Sequence, residues 1–166
     1  MTDFPYIKQC DPHAGYHALW VEIDAAVIQT LQSDRYLMGQ ELKLFEQEFS
    51  LWQEAEHTVG VANGTDALLL SLMALELLPG SAVLTPSFTA VATVNAIVRS
   101  GAVPLFVDVD PHTGTLCPNA VEETLKRLKK KPGSLIPAAM IVVHLYGFAA
   151  EMSRLCVLAE EYFTDH

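Results

Sequence analysis

Val59-Gly-Val-Ala-Asn-Gly-Thr-Asp-Ala-Leu-Leu-Leu70 is the stretch of sequence that decides how the surrounding chain folds. A short apolar run at 59–62 is followed by turn residues, and strong helix formers then continue from Ala67 to Leu78. This order predicts a strand, a tight turn and a helix.

The turn between the predicted strand and helix has the features of an anion site. Gly64 lets the backbone turn sharply, and Thr65 and Asp66 place side-chain oxygens at the helix start. The free amides of the first helical turn and the positive end of the helix dipole suit a phosphate. The simpler alternative is that Thr65 or Asp66 only caps the helix and nothing binds. The tetrapeptide by itself favours this alternative, because capped joints of this kind are common.

Composition limits the kinds of partner. Half of the 166 residues are hydrophobic (51%), which predicts a folded chain with a real core. The formal charge of -10 argues against nucleic acid or an anionic membrane as partner. The basic run 126–131 is the exception, and its position before Pro132 and Gly133 fits a solvated helix end.

The three cysteines predict a reducing compartment. Cys10, Cys117 and Cys156 are odd in number and unpatterned, and the sequence shows neither a signal peptide nor a long apolar span. We therefore expect a cytoplasmic protein.

From Glu56 onward, short apolar runs alternate with helical patterns. We expect residues 1–55 to form an arm with two helices, at 17–31 and 40–53, and residues 56–166 to form an α/β domain with a mainly parallel sheet and flanking helices. Ligands bind such sheets beyond the carboxyl ends of the strands, here the turns 63–66, 86–89 and 144–147. The predicted strand and helix pairs are 58–62 with 67–78, 82–85 with 89–100, 103–109 with 119–130, and 138–145 with 151–162.

Five segments together resemble the successive signatures of the DegT/DnrJ/EryC1/StrS sugar aminotransferases, in one register from about residue 14 to residue 162. They are YLMGQELKLFE at 36–46, VANGTDAL at 61–68, TPSFTAVAT at 85–93, GAVPLFVDVD at 101–110 and VHLYG at 143–147. The resemblance implies the N-terminal part of the large domain of a fold-type-I enzyme that depends on pyridoxal 5'-phosphate (PLP). It also implies transfer of an amino group from glutamate or glutamine to a keto sugar carried on a nucleotide, in a dimeric enzyme.

Matched position by position, the resemblance assigns Gly64, Thr65 and Asp66 to the phosphate cradle of PLP. The loop at 86–93 matches the segment that covers the pyridine ring, but Ala90 stands where many members carry a large aromatic residue. Phe88 is the nearest aromatic, and it either stacks on the ring or is an ordinary core residue.

Two further positions, Gly39 and Thr89, are implied as residues on the substrate side. His144 and Tyr146 end the fourth predicted strand close to the implied cofactor. We expect structural roles for both, with His144 satisfied by a hydrogen bond.

The spacing of Asp108 and Asp110 is compatible with a metal site, but the residues that follow favour another interpretation. Pro111 and Gly114 predict a capped turn after an outgoing strand. We therefore expect no metal ligand at this position.

The resemblance also implies two catalytic groups that have no match in this sequence. An acidic residue that pairs with the pyridine nitrogen ends the next strand of the family, and the Schiff-base lysine lies further on. Asp165 comes too soon after the last helix to take the role of the acid. None of the lysines stands in a matching context, so we expect no catalytic residue here and an incomplete enzyme, active only in association with the missing half. The lysines are Lys8, Lys43, Lys126, Lys129, Lys130 and Lys131.

Two other functions remain open. One is a non-catalytic interaction module derived from this fold, docking for example on a full-length relative. The other is an unrelated nucleotide-binding domain, which the absence of a glycine-rich dinucleotide loop or P-loop disfavours.

Overall fold

The chain divides into two units, Met1–Gly60 and Val61–His166. The computed structural model describes Lys8, residues 10–131 and residues 135–163. Asp165 and the Pro132-Gly133 pair, on which two of the expectations rest, lie outside the described residues.

Two helices form most of the described first unit. Helix α1, Pro12–Gln32, has proline at its first position and the Asp11 side chain as its N-cap. Helix α2, Gln40–Gln53, has Gly39 as its N-cap and Glu54 as its C-cap. Both helices were predicted, although α1 starts five residues earlier than its apolar stripe indicates. Neither of them contains a buried residue.

The segment after α2 is held on that helix by polar contacts. Gly60 donates its backbone N–H to Glu46 Oε1 at 2.8 Å, and Ser50 Oγ donates to Thr58 Oγ1 at 2.8 Å. These bonds satisfy backbone and hydroxyl groups of residues that do not enter a sheet.

The second unit alternates helices and strands. Each strand is short, and each of the helices after α3 follows a strand through a loop. The elements are α3, Gly64–Ala74; β1, Ala82–Pro86; α4, Val91–Arg99; β2, Val103–Val107; α5, Pro118–Lys130; β3, Pro137–Met140; a 3-10 turn, Leu145–Gly147; and α6, Met152–Phe163.

The three strands form a parallel sheet in the order β2-β1-β3. The central strand β1 is buried along its whole length, as expected for a strand covered on both faces. Leu84 packs in a cluster with residues of α5 and α6, such as Leu125 and Leu155. Val83, which points to the opposite face, packs with Leu72 of α3 and Ile97 of α4. The predicted α/β fold with a parallel sheet and flanking helices is confirmed.

The first predicted strand, at 58–62, is wrong. The structure has no strand there, and the side chains of Val59 and Val61 are 77% and 40% exposed. A strand exists only where a neighbouring strand satisfies its N–H and C=O groups. No part of the described chain pairs with these residues.

Candidate functional site

The loops that follow the three strands come together at the carboxyl edge of the sheet. A Cβ atom added to Gly114, in the turn after β2, would lie 3.6 Å from Phe88 Cε1 and 3.9 Å from Leu145 Cδ2. Phe88 belongs to the loop after β1, and Leu145 begins the 3-10 turn after β3. This is the edge at which parallel α/β sheets bind their ligands.

The cap at the start of α3 is Asn63. Its Oδ1 accepts a hydrogen bond from the Asp66 N–H at 2.9 Å, and its carbonyl accepts from the Ala67 N–H at 3.0 Å. The alternative in which Thr65 or Asp66 provides the cap is therefore wrong. Asn63 has the extended backbone of an N-cap, so Gly64, Thr65 and Asp66 are the first three residues of the helix itself.

Two backbone donors at this helix start have no acceptor within the described chain. The N–H groups of Gly64 and Thr65 precede the first intrahelical bond, and the Asn63 side chain serves only Asp66. The hydroxyl of the half-buried Thr65 adds a third donor. The space beside these donors is open, because a Cβ atom added to Gly64 would have no atom of a neighbouring element within 4 Å. Three donors beside open space, at the positive end of a helix, suit an oxyanion.

Asp66 contributes differently from its two neighbours. Its N–H is already bonded to Asn63, and its carboxylate accepts from Asn63 Nδ2 at 3.1 Å and lies 3.9 Å from Arg99 Nη1. The side chain is thus held by an amide and a guanidinium group rather than offered to an anion. The assignment of Asp66 to the cradle stays a prediction.

The loop after β1 places its three candidate residues differently. Phe88 is 52% exposed, which is not the environment of a core phenylalanine. Thr89 is half-buried and shares a hydrogen bond of 2.8 Å between its hydroxyl and that of Thr93. Ala90 is the N-cap residue of α4, without a side-chain bond. Stacking by Phe88 and a substrate role for Thr89 remain predictions.

Thr85 is a polar residue of this edge that the sequence reasoning missed. It lies in β1 two residues after Val83, on the sheet face that α3 and α4 cover, and it is fully buried. Its Oγ1 has no hydrogen-bond partner among the described residues, which is costly for a buried hydroxyl. The signal in the sequence was a single polar residue, Thr85, in an otherwise apolar predicted strand.

In the first unit, Gly39 is buried at the start of α2. A Cβ atom there would lie 2.7 Å from the carbonyl oxygen of Arg35, so only glycine fits without a shift of the backbone. Its substrate role is not tested by this geometry.

The turns after β2 and β3 contain the capped turn and the histidine hydrogen bond that the sequence predicted, whereas the structural roles expected for His144 and Tyr146 stay predictions. Asp110 Oδ1 accepts from the His112 N–H at 2.8 Å and from the Thr113 N–H at 3.3 Å, which confirms the capped turn. His144 Nδ1 accepts from the Ala150 N–H at 3.1 Å, which confirms its hydrogen bond. Tyr146 is 89% exposed and adopts a left-handed backbone with φ 54°.

A family model described as the DegT/DnrJ/EryC1/StrS aminotransferase family matches residues 18–163. The chain belongs to this family. It is 41% identical over 163 residues to the dTDP-3-amino-3,4,6-trideoxy-alpha-D-glucose transaminase of Streptomyces venezuelae, covering 97% of this chain and 40% of that protein.

Two solved structures place this fold among fold-type-I aminotransferases. A DegT DnrJ EryC1 StrS aminotransferase from Brucella abortus matches with a TM-score of 0.88 and 35% identity, over 95% of this chain and 42% of that one. The Bacillus subtilis protein ntda, solved with bound cofactor PMP, matches with a TM-score of 0.75 and 29% identity, over 87% of this chain and 32% of that one. The chain therefore spans less than half the length of these relatives.

Two kinds of feature are absent from the described residues. They contain no group of three or more side chains placed to hold a metal ion. Within the same ranges, no helix has both the length and the apolar character needed to cross a membrane.

Proposed function

We propose that this chain forms the cofactor-phosphate site of a PLP-dependent aminotransferase that acts on a nucleotide-linked keto sugar. The observation that carries the proposal is the start of α3, where the Gly64 and Thr65 N–H groups and the Thr65 hydroxyl have no acceptor among the described residues. This donor set fits a phosphate monoester, and its place in a DegT/DnrJ/EryC1/StrS chain favours the phosphate of PLP.

In the proposed enzyme, the chain's own residues bind and orient the cofactor. The helix dipole of α3 and the three donors hold the phosphate, and the exposed Phe88 ring covers one face of the pyridine. Gly39 and Thr89 serve the substrate side. PLP, when bound, supplies the electron sink that amino-group transfer requires.

The rest of the catalytic apparatus is proposed to lie outside this sequence. Its lysines and acidic residues match neither the Schiff-base lysine nor the acid at the pyridine nitrogen, so turnover requires association with the remaining half. The completed enzyme is proposed to be a homo-oligomer. The substrates would be a nucleotide sugar and an amino donor in the cytoplasm, without nucleic acid or membrane as partner. The proposed division into residues 1–55 and 56–166 assigns the cofactor phosphate to the second part.

The substitution Thr65→Val tests the cradle. Co-expression with the remaining part of the S. venezuelae transaminase supplies the rest of the fold, and PLP retention is measured by absorbance after dialysis. Losing one hydrogen bond to a charged group costs roughly 1.5–3 kcal/mol, so we expect affinity to fall by about tenfold to a hundredfold.

The matched control is Ser71→Ala on the same helix. Ser71 Oγ donates to the Ala67 carbonyl, within α3 and away from its first turn. Unchanged PLP affinity in the Thr65→Val protein, or an equal loss in the control, would contradict the assignment.

A non-catalytic interaction module is the second candidate. The absence of any buried residue in α1 favours it, since a helix of 21 residues with an apolar stripe is available for contact with another protein. Amino transfer by the complemented chain supports the enzyme, whereas complex formation with a full-length relative without any change in turnover supports the module.

A further inference from the structure

Two histidines lie one helical turn apart at the start of α1. His13 and His17 are both exposed, and their ring centroids are 4.2 Å apart with an interplanar angle of 79°. The rings are close because residues four apart share one face of a helix.

We propose that His13 and His17 form a two-histidine site for a late first-row divalent metal ion, with Ni²⁺, Cu²⁺ and Zn²⁺ as the chemical class. Neutral imidazole is a preferred ligand for these ions. The same i, i+4 spacing on a helix carries the histidine pair of zinc-binding motifs.

The distance between the rings suits chelation. A metal bound to one nitrogen of each ring at about 2.0–2.1 Å, with an angle between 90° and 110°, would hold the centroids roughly 4.5–5 Å apart. The rings need to separate by less than about 1 Å, which a small rotation about soft side-chain torsions provides.

The surrounding charge favours a cation. The sequence has no lysine or arginine from residue 9 to residue 34. Lys8 is paired with Asp11 at 2.9 Å, and Asp24 accepts a hydrogen bond from the Tyr16 hydroxyl at 2.9 Å. The positive end of the helix opposes a metal, and the Asp11 carboxylate that caps it offsets this only in part, because Lys8 shares that carboxylate.

The site supplies two ligands, and the part of the chain that the structure describes has no cluster with a third. Water or a ligand from another molecule would complete the coordination sphere, so binding is exchangeable and weaker than at a structural zinc site. The proposal does not depend on the aminotransferase function.

The test is calorimetric titration of the complete chain with NiCl₂ under reducing conditions. We expect one ion per chain in the wild-type protein, with affinity lowered at least about tenfold in His13→Ala and in His17→Ala, because each variant loses one of the two chelating nitrogens. His57→Ala and His112→Ala remove exposed histidines elsewhere, and Cys10→Ser removes the neighbouring thiol. These three variants should bind Ni²⁺ as the wild type does.

A second variant separates spacing from histidine number. The double change H17A/A18H keeps two histidines but moves one off the shared face, so affinity should stay low while helical circular dichroism is unchanged. Wild-type Ni²⁺ affinity in this double variant, or in both single alanine variants, would overturn the proposal. An equal loss of affinity in every histidine variant, including His57→Ala and His112→Ala, would also overturn it, because it would indicate an adventitious ion only.

Discussion

At the start of α2, one backbone oxygen decides which residue can occupy position 39. The Arg35 carbonyl lies 2.7 Å from the place of a Cβ on Gly39, closer than real side chains approach. The backbone of Gly39 itself is extended, with φ -86°, so steric fit and not a left-handed conformation requires glycine. Gly15, in α1, is the opposite case, because a Cβ there has nothing within 4 Å.

This contrast gives a matched pair of substitutions. Gly39→Ala should lower the free energy of unfolding by about 1–3 kcal/mol through overpacking. Gly15→Ala should raise helix stability by up to about 1 kcal/mol, since alanine loses less backbone entropy in a helix. Urea unfolding followed by circular dichroism measures both. Equal effects of the two substitutions would show that the contact with Arg35 relaxes without cost.

Helix α5 carries an acidic and basic pair on its exposed face. The Lys126 ammonium donates to the Glu122 carboxylate, and Arg154 of α6 lies 3.7 Å from the same side chain. The hydrogen bond from Lys126 lowers the pKa of Glu122 from its usual 4.5, and the same bond raises the pKa of Lys126 from its usual 10.5. Lys126 is exposed and Glu122 is partly exposed, so screening by water keeps the contribution to stability small.

The two shifts predict a window of pH for this contribution. The lowered pKa of Glu122 gives stability that is present above pH 4.5 and lost as the pH falls through the folded-state value. The raised pKa of Lys126 gives stability that is present below pH 10.5 and lost as the pH rises through its folded-state value.

Glu122→Gln tests this window. The variant should be slightly less stable than the wild type between these limits and equal to it in acid, where Glu122 is protonated. Added salt should shrink the difference, because it screens exposed pairs. Thermal unfolding across pH measures the effect, and Glu123→Gln on the same helix is the control. A difference that persists in acid would point to packing rather than charge.

The chain as a whole exposes much apolar surface. Leu37, Leu51, Trp52 and Val91 are each at least 74% exposed, and they come from both units. Strands β2 and β3 each pair on one side only within the described residues. Apolar patches and open strand edges of this kind promote association.

We therefore expect the purified chain to self-associate at ordinary protein concentrations. Light scattering during size-exclusion chromatography should show species larger than the 18.2 kDa monomer, and their share should rise with concentration. Trp52→Glu should reduce association, whereas Glu54→Gln nearby should not. A stable monomer in the wild-type protein would mean that these surfaces do not drive contact.

Most of the alternation of helices and strands could be predicted from the sequence. The apolar run 82–85 and the amphipathic pattern 119–130 carry their periodicity in neighbouring residues, and the structure has β1 and α5 at these places. The position of the candidate site follows from the same information, because parallel strands bring their carboxyl ends to one edge. The sequence by itself thus determined the fold class, the family signatures and the turns at which a ligand would bind.

Only the tertiary structure decided which neighbours each residue meets. The run 58–62 has the composition of a strand, but pairing is a property of two segments, and none of the described residues pairs with it. Asn63 rather than Thr65 caps α3, since the backbone geometry at the helix start selects among adjacent polar residues. The unpartnered hydroxyl of Thr85 and the closeness of Phe88 to the position of a Cβ on Gly114 likewise depend on residues far apart in the chain. Local periodicity specifies elements, whereas hydrogen-bond pairing, burial and steric fit arise only when those elements pack together.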